Sequence, residues 1–517
     1  MKNKFLALVV VMCMALTMIP GVALAAEHTV TDVSGIKDAI NNDTDGDIVI
    51  ILGNNVTIGE KLTVPASKNV TIKGAYTITR DAAYTGTLFE VAAGATLTLD
   101  GGLVIDGNNN WGFNETQYDA DLENMTQICT DKTDKTNGET VKNRYFTPEV
   151  GKPVASAFMI TTKGGTVNLN DVTIKNNFSM SSGIVSAGEN STITLTGAKI
   201  THCAAVQGNG VAVNASGAGI KVTMNEDTII DGNFVGGNHG IFKIYSGTVF
   251  TMNDGSIKNT KGWNSNGTAI GIYHATVIMN GGEICSNSSV YGPANGRNAA
   301  VYVHSTSTFT MNGGSICHNG GRARGGLDAP YADDEEEGAS VSEVEISGGY
   351  IGDNISFAGN TNKDVNGGNK LTITGGTFTQ DVSQWLGDGV KPPVKGSDGK
   401  YYVGDDMKNA PVAPAPAPKP SGSGIKVEYE GGNSFSTSKS AVPTSVEIDG
   451  VAVPFTGNGS SFTVNSIPAG AKWVTVRWNS TSVTTNFTPS GAYAAEIEIP
   501  KTGDASLWAA VAAVLGF

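Results

Sequence analysis

From about residue 47 to residue 378 apolar and polar positions alternate in short runs, and one phrase recurs: Thr-φ-Thr-Met-Asn-Gly-Gly-x-Ile-x-x-Asn, with φ apolar. The clearest copies are Thr276–Asn287 and Thr308–Asn319. Looser ones are Thr96–Asn108, Thr166–Asn177, Thr192–Cys203, Val222–Asn233, Val249–Thr260 and Glu343–Asn354. The apolar residue before the turn falls at Ile72, Leu99, Leu169, Leu195, Met224, Met252, Met279, Met311, Ile346 and Ile373, in steps of 27, 70, 26, 29, 28, 27, 32, 35 and 27 residues. The step of 70 contains an insertion at 109–155. Such a period marks a stacked solenoid rather than a globular domain.

Each repeat holds three alternating stretches. The first precedes the phrase, with Ile244, Ile272 and Val303 in equivalent places; the second is Thr-φ-Thr-Met; the third surrounds Ile257, Ile284 or Ile316. Period-2 alternation around Gly-Gly or Asn-Gly predicts strands joined by tight turns. Three strands per turn therefore predict an all-β fold, a right-handed parallel β-helix of about ten coils, each adding roughly 4.8 Å. A leucine-rich repeat would need a helical segment, and none is present. The recurring Asn108, Asn177, Asn233, Asn287, Asn319 and Asn354 read as an internal ladder, because a buried polar row is stable only when its own stack satisfies it.

Both ends of a solenoid expose unpaired edges. Residues 26–46 are the expected N-terminal cap, with a short amphipathic helix over Gly35–Ile40 capped by Ser34. Residues 379–408 are the C-terminal cap. Residues 409–424 form a Pro/Ala spacer ending in Ser-Gly-Ser-Gly. Beyond it, 425–498 alternates in runs such as Val474-Thr-Val-Arg-Trp, which predicts a small β-sandwich stalk.

The N-terminus reads as a secretory signal at 1–25: Lys2 and Lys4, an apolar run from Phe5 to Ile19, then Ala23 and Ala25 as small residues at the cleavage site. At the other end stand Ile499, Pro500, Lys501, Thr502 and Gly503, followed by an apolar tail to Phe517. This run resembles the sortase sorting signal of Gram-positive surface proteins, with Ile in place of the commonest first residue, Leu. The resemblance implies cleavage between Thr502 and Gly503 and attachment of Thr502 to peptidoglycan, with sortase as a partner. The family's tail is a spanning helix followed by Lys or Arg. Here Leu507–Phe517 is eleven residues with no basic residue after it, short of the roughly 20 a span requires; a tail that does not retain the chain would leave the protein secreted. Residues 28–405 resemble pectate-lyase-like β-helix surface proteins, which implies architecture rather than activity.

Net charge is −14; loss of Lys2 and Lys4 with the signal makes it −16, and loss of Asp504 with the tail leaves −15. An acidic chain is a poor partner for nucleic acid. Four cysteines follow the signal, Cys129, Cys203, Cys285 and Cys317, with no CxxC spacing, and six histidines show no ligand pattern, so no metal site is expected. Cys285 and Cys317 follow Ile284 and Ile316 one coil apart, which predicts stacked neighbours within disulfide range. Two thiols are expected there rather than a bond.

Chemistry is sparse. Asn238-His239-Gly240 and Asp333-Asp334 are fragments of a hydrolase pattern without its partners, since paired carboxylates must be held at a defined separation. A uronate lyase needs a basic residue and often Ca²⁺; the residues that could serve are Arg297, Arg322, Arg324, Asp328, Asp333 and Asp334, all expected in long loops. The favoured reading is an exported adhesin or glycan-binding head on the cell wall, its partner a host or environmental glycan or glycoprotein. Residues after an inward one must face outward, so Tyr245, Tyr273 and His304 should form an exposed row for sugar rings, walled by Trp263 and Tyr291. Cross-strand packing would be the row's purely structural role.

Overall fold

A computed structural model describes residues 25–123, 142, 144–208, 210–236, 240–263, 265–290, 299–321, 325–329, 341–357, 369–411, 425–468, 470–479 and 481–487. Its compact units divide at Ala410/Pro411.

The first unit is a parallel β-helix. Sheet 1 has twelve strands, from Ala26–Val30 to Lys370–Ile373, and holds the Thr-φ-Thr-Met runs. Sheet 2 has eleven parallel strands, from Val56–Ile58 to Gly376–Phe378, closed by antiparallel Tyr401–Val403 and Val394–Lys395. Sheet 3 has ten, from Leu62–Val64 to Ile355–Phe357. The predicted anchor row stacks in register throughout, Ile72 on Leu99, Leu169, Leu195, Met224, Met252, Met279, Met311, Ile346 and Ile373, and every member is buried.

The phrase's Met and Gly have one cause. Gly282, Gly314 and Gly349 adopt φ of +81°, +82° and +88°, a region that L side chains avoid. A Cβ on Gly314 would lie 2.7 Å from the Met279 methyl and 2.6 Å from the Gly282 carbonyl. Met of one coil thus packs into the space that Gly of the next leaves open.

Among the described residues six coils carry a fourth strand, which the three-strand expectation lacked. These strands, Phe178–Ser179 to Gly320–Gly321, form sheet 4. The insertion explains why that sheet is viable. Its hairpin (Gly112–Phe113 with Phe146–Thr147) and helix α2 (Glu115–Glu123) bring Trp111, Tyr118, Tyr145 and Phe146 onto Phe178, Phe234, Trp263 and Val290, a second apolar cluster. The Tyr118 hydroxyl, fully buried, accepts from the Gly262 amide (3.0 Å) and meets the Ser288 carbonyl at 2.9 Å. Asp121 receives the Arg144 guanidinium and the Tyr145 hydroxyl.

The interior ladder exists with altered rungs. Asn287 and Asn233 are 1 % exposed. Asn233 accepts from the Cys203 amide and donates to the Ile200 carbonyl; Asn287 accepts from Thr260 and donates to Ile257 and Asn319. Beyond Asn319 the next rung is Asp353 rather than Asn354. Asn108 leaves the ladder for the insertion's root, binding the Arg80 carbonyl and Lys152.

Helix α1 (Val33–Asn42) covers the N-terminal end with Ile36, Ala39 and Ile40. Its cap is Asp32, which accepts from the Gly35 amide at 2.8 Å; Ser34 lies inside the helix. Cys285 and Cys317 are in register, 4.8 Å apart at Cα, and joined as a disulfide, which corrects the expectation of two thiols. Cys203 is free and buried, and burial pushes its thiol up to about 12.

Among the described residues the second unit has two four-stranded antiparallel sheets. Phe435, Phe462, Val474, Val476 and Trp478 lie in their shared core.

Candidate functional site

Strand alternation builds the site on the outer face of sheet 3. In Phe242–Tyr245, Gly267–Tyr273, Ala299–His304 and Gly325–Ala329, the residues Phe242, Ile244, Ile270, Ile272, Val301, Val303 and Leu327 point into the core. Their neighbours must therefore face out. One outward row is Tyr245, Tyr273, His304, matched position by position across the coils. A second, parallel row runs Asn214, Lys243, Gly271, Tyr302, Asp328. The absence of a side chain at Gly271 leaves a one-coil gap between Lys243 and Tyr302.

The two rows form one cluster. Tyr245 stacks on Tyr273 with centroids 4.5 Å apart, Tyr273 lies 5.3 Å from His304 and 5.6 Å from Tyr302, and Tyr302 stacks on His304 at 5.5 Å. The Lys243 ammonium sits 4.8 Å over the Tyr245 ring, an attraction between cation and ring quadrupole. His304 Nδ1 meets the Ser305 hydroxyl.

Burial governs the ionisation of this face. It pushes the Tyr273 hydroxyl up to about 12, against the lowering effect of Asn266, Tyr245 and Tyr302 beside it. It raises the Tyr245 hydroxyl further still, with Tyr273 adding to the effect. The same desolvation lowers the Lys243 amine from its ordinary value. Tyr245, Tyr273 and His304 are part-buried, and Tyr302 and Asp328 are buried. The cluster is thus a half-covered patch of ring faces, hydroxyls, an imidazole and an amine, with the Asp328 carboxylate buried at the end of the second row. Chemically it can stack a ring and orient hydroxyl groups, and it holds groups able to accept or give a proton.

The other predicted residues fall as follows. Trp263 does not wall the row. It is 5 % exposed in sheet 4, packed under the insertion, because its three-residue strand turns it toward Val290 and Phe234. Asp328 does not lie in a long loop but in a strand of sheet 3, directly beside Tyr302. Lys243 and Tyr302 were missed; each stands two residues before a member of the recognised row, which was the available signal. Ala25 is half-buried just before the first strand. Tyr291, Arg297, Arg322, Arg324, Asp333, Asp334, Asn238, His239, Cys129, Ala23 and the run Ile499–Gly503 lie outside the described residues.

Among the described residues no group of three or more His, Cys, Asp or Glu could hold a metal ion, and no helix is long and apolar enough to cross a membrane. A cavity of about 220 Å³ lies between α1 and the first strand of sheet 3, but its lysines are committed, Lys37 to Glu60 and Lys61 to Glu90. Comparison with protein-family models, with curated proteins and with solved structures found no match. The class of protein is therefore set by the fold, a parallel β-helix.

Proposed function

We propose that this chain is exported, displayed on the wall of a Gram-positive cell through Ile499–Gly503 by sortase, and binds glycan with the outer face of sheet 3. The observation that carries the binding reading is the cross-coil cluster Tyr245–Tyr273–His304 with Lys243 and Tyr302 beside it. Ring faces repeated along a rigid strand ladder suit sugar rings, and half-buried hydroxyls and an imidazole provide directional hydrogen bonds. The ligand class is a host or environmental glycan or glycoprotein. Anchoring rests on the sorting run alone, and mass analysis of muramidase-released protein should find Thr502 joined to a peptidoglycan fragment.

The binding test replaces Tyr245 and Tyr273 together with Ser in the full mature chain. Glycan-array binding should be lost while the melting temperature stays near that of the parent. Survival of binding with a lowered melting temperature would make the cluster structural.

A second reading, a uronate lyase, is favoured by one observation: a desolvated amine and an imidazole share this face, Lys243 and His304. A base there would take the proton beside the uronate carboxyl. Incubation with uronate polysaccharides and Ca²⁺ decides between the readings. New absorbance from an unsaturated uronate supports the lyase; retention without turnover supports the adhesin.

A further inference from the structure

The insertion at 109–155 leaves the solenoid and returns to it, and its root meets one turn that follows the strands of sheet 2. That turn falls at Asn176, His202, Gly232, Asn259, Ser286 and His318, with φ of +56°, +52°, +63°, +51°, +60° and +55°. Asn, Gly and Ser serve it on other coils, so the left-handed backbone does not by itself require His. His318 is exposed. His202 is part-buried, and its imidazole lies flat on the Trp111 indole, with centroids 4.1 Å apart and planes 5° from parallel.

The two residues are joined twice more. Trp111 Nε1 donates to the His202 carbonyl at 3.1 Å. The imidazole hydrogen-bonds the Trp111 backbone in the sense that favours the cation, which makes the Trp111 carbonyl the acceptor and commits one ring N–H to it. The other ring nitrogen, Nε2, is buried without a partner. A neutral ring leaves only a bare nitrogen there; a protonated one adds an N–H and a charge with nothing to receive them. Burial accordingly lowers the imidazole from its ordinary value and outweighs the Trp111 hydrogen bond.

The charges on the surrounding elements do not offset this. Lys199 stands on the same strand as Thr201. On the coils before it Lys175 and Asp106 are paired at 3.7 Å, and on the coil after it Asp231 accepts from the Asn259 amide at 2.8 Å. On the insertion, Glu149 accepts from the Asn110 amide at 3.1 Å, and Lys152 donates to Asn108 at 2.9 Å. None of these acts on the imidazole, whose titration is set by burial and by Trp111. Trp111 in turn packs on Phe146 at 4.9 Å and on Phe178 at 6.1 Å. Its stack on His202 therefore ties the hairpin of Gly112–Phe113 and Phe146–Thr147 to the turn of sheet 2.

We propose that His202 and Trp111 form an acid-released latch, which holds the root of the insertion to the solenoid while the imidazole is neutral and loosens it on protonation. The latch does not depend on the glycan-binding reading. In the open form the ring is in water, with its ordinary value near 6.5, and in the closed form its value lies lower. The latch's contribution is therefore complete above about 6.5, falls as pH drops from there through the closed value, and is constant below it. This window lies above that of Asp121, whose carboxyl titrates below its ordinary 3.8. Hydrogen exchange of the full chain at about pH 7.5 and about pH 5, corrected for the intrinsic pH dependence of exchange, tests the latch. Protection of Gly112–Phe113 and Phe146–Thr147 should fall at least about threefold on acidification. His202→Asn suits the turn and cannot titrate, so it should show the loosened level at both pH values, without a step. His202→Phe retains a ring to stack and cannot titrate, so it should stay protected at both; should it fail to fold, His202→Asn alone decides. His318→Asn should keep the parent's step. A parent without a step, a step that survives in His202→Asn, or a step lost in His318→Asn would overturn the proposal.

Discussion

Asn280 and Asn287 stand seven residues apart in one copy of the repeat, one on the solvent face and one inside, and alanine at each separates the two ladders. Asn287 is 1 % exposed; its Oδ1 accepts from the Thr260 amide at 3.1 Å, and its Nδ2 donates to the Ile257 carbonyl at 2.9 Å and to Asn319 Oδ1 at 3.0 Å. Asn287→Ala removes the side-chain partner of an N–H in a residue that is itself fully buried. An unsatisfied buried donor costs about 1–3 kcal/mol, and loss of the remaining bonds adds about 1, so the expected loss is about 2–4 kcal/mol. Asn280 is exposed and water can replace its bonds to Asn253 and Asn312; Asn280→Ala should cost under about 1 kcal/mol. Urea unfolding followed by circular dichroism gives the two midpoints, read as stability only if the slope is unchanged. Because each coil touches only its neighbours, hydrogen exchange should localise the Asn287→Ala loss to Ser256–Thr260 and Glu283–Asn287. The reasoning fails if Asn280→Ala is as costly as Asn287→Ala, or if the latter is neutral.

Three further outcomes are expected. Gly314→Ala should destabilise by more than about 1 kcal/mol in the same assay, since it combines a φ of +82° with contacts of 2.6 and 2.7 Å. Alkylation of the native, non-reduced chain should find the peptides of Cys285 and Cys317 joined and Cys203 unlabelled until unfolding; two labelled thiols at 285 and 317 would remove the bond. For Asp121, burial raises the carboxyl but the Arg144 and Tyr145 hydrogen bonds outweigh it, so its folded value is depressed. Its contribution is therefore complete above the unfolded value near 4 and is lost as pH falls through the lower folded value; hydrogen exchange in Glu115–Glu123 should rise over that acidic window, and Asp121→Asn should flatten the change.

Much of the solenoid could be read from the chain because inward rows tolerate little variation. The apolar anchors Ile72 to Ile373 repeat visibly, and each occupies the stacked position that its spacing implied. Sheet 4 could not be read the same way. Its strands are two or three residues long, too short to display a period, and they depend on partners such as Trp111 and Tyr118 far away in the chain. Trp263 was misplaced for that reason. Ser34 and Asp32 are both competent caps, and only the reach of the Asp32 carboxylate to the Gly35 amide separates them.

Outward rows obey a different rule, which is why the site was only half legible. A solvent-facing strand position accepts most residues at a cost within about 1 kcal/mol, so burial does not dictate its identity. On sheet 1 the outward positions are mostly β-favouring Thr and ladder-forming Asn. On sheet 3 the part-buried Lys243, Tyr245, Tyr273 and His304 depart from that default over consecutive coils, with the buried Tyr302 and Asp328 beside them. Tyr245, Tyr273 and His304 could be aligned because each follows a recognisable inward residue. The companion row hid itself: Gly271 breaks it between Lys243 and Tyr302, and the acidic run after Ala332 made Asp328 read as loop. Cross-coil packing of these rings is the structural alternative for that departure, and the paired Tyr245→Ser/Tyr273→Ser variant separates it from selection by a ligand.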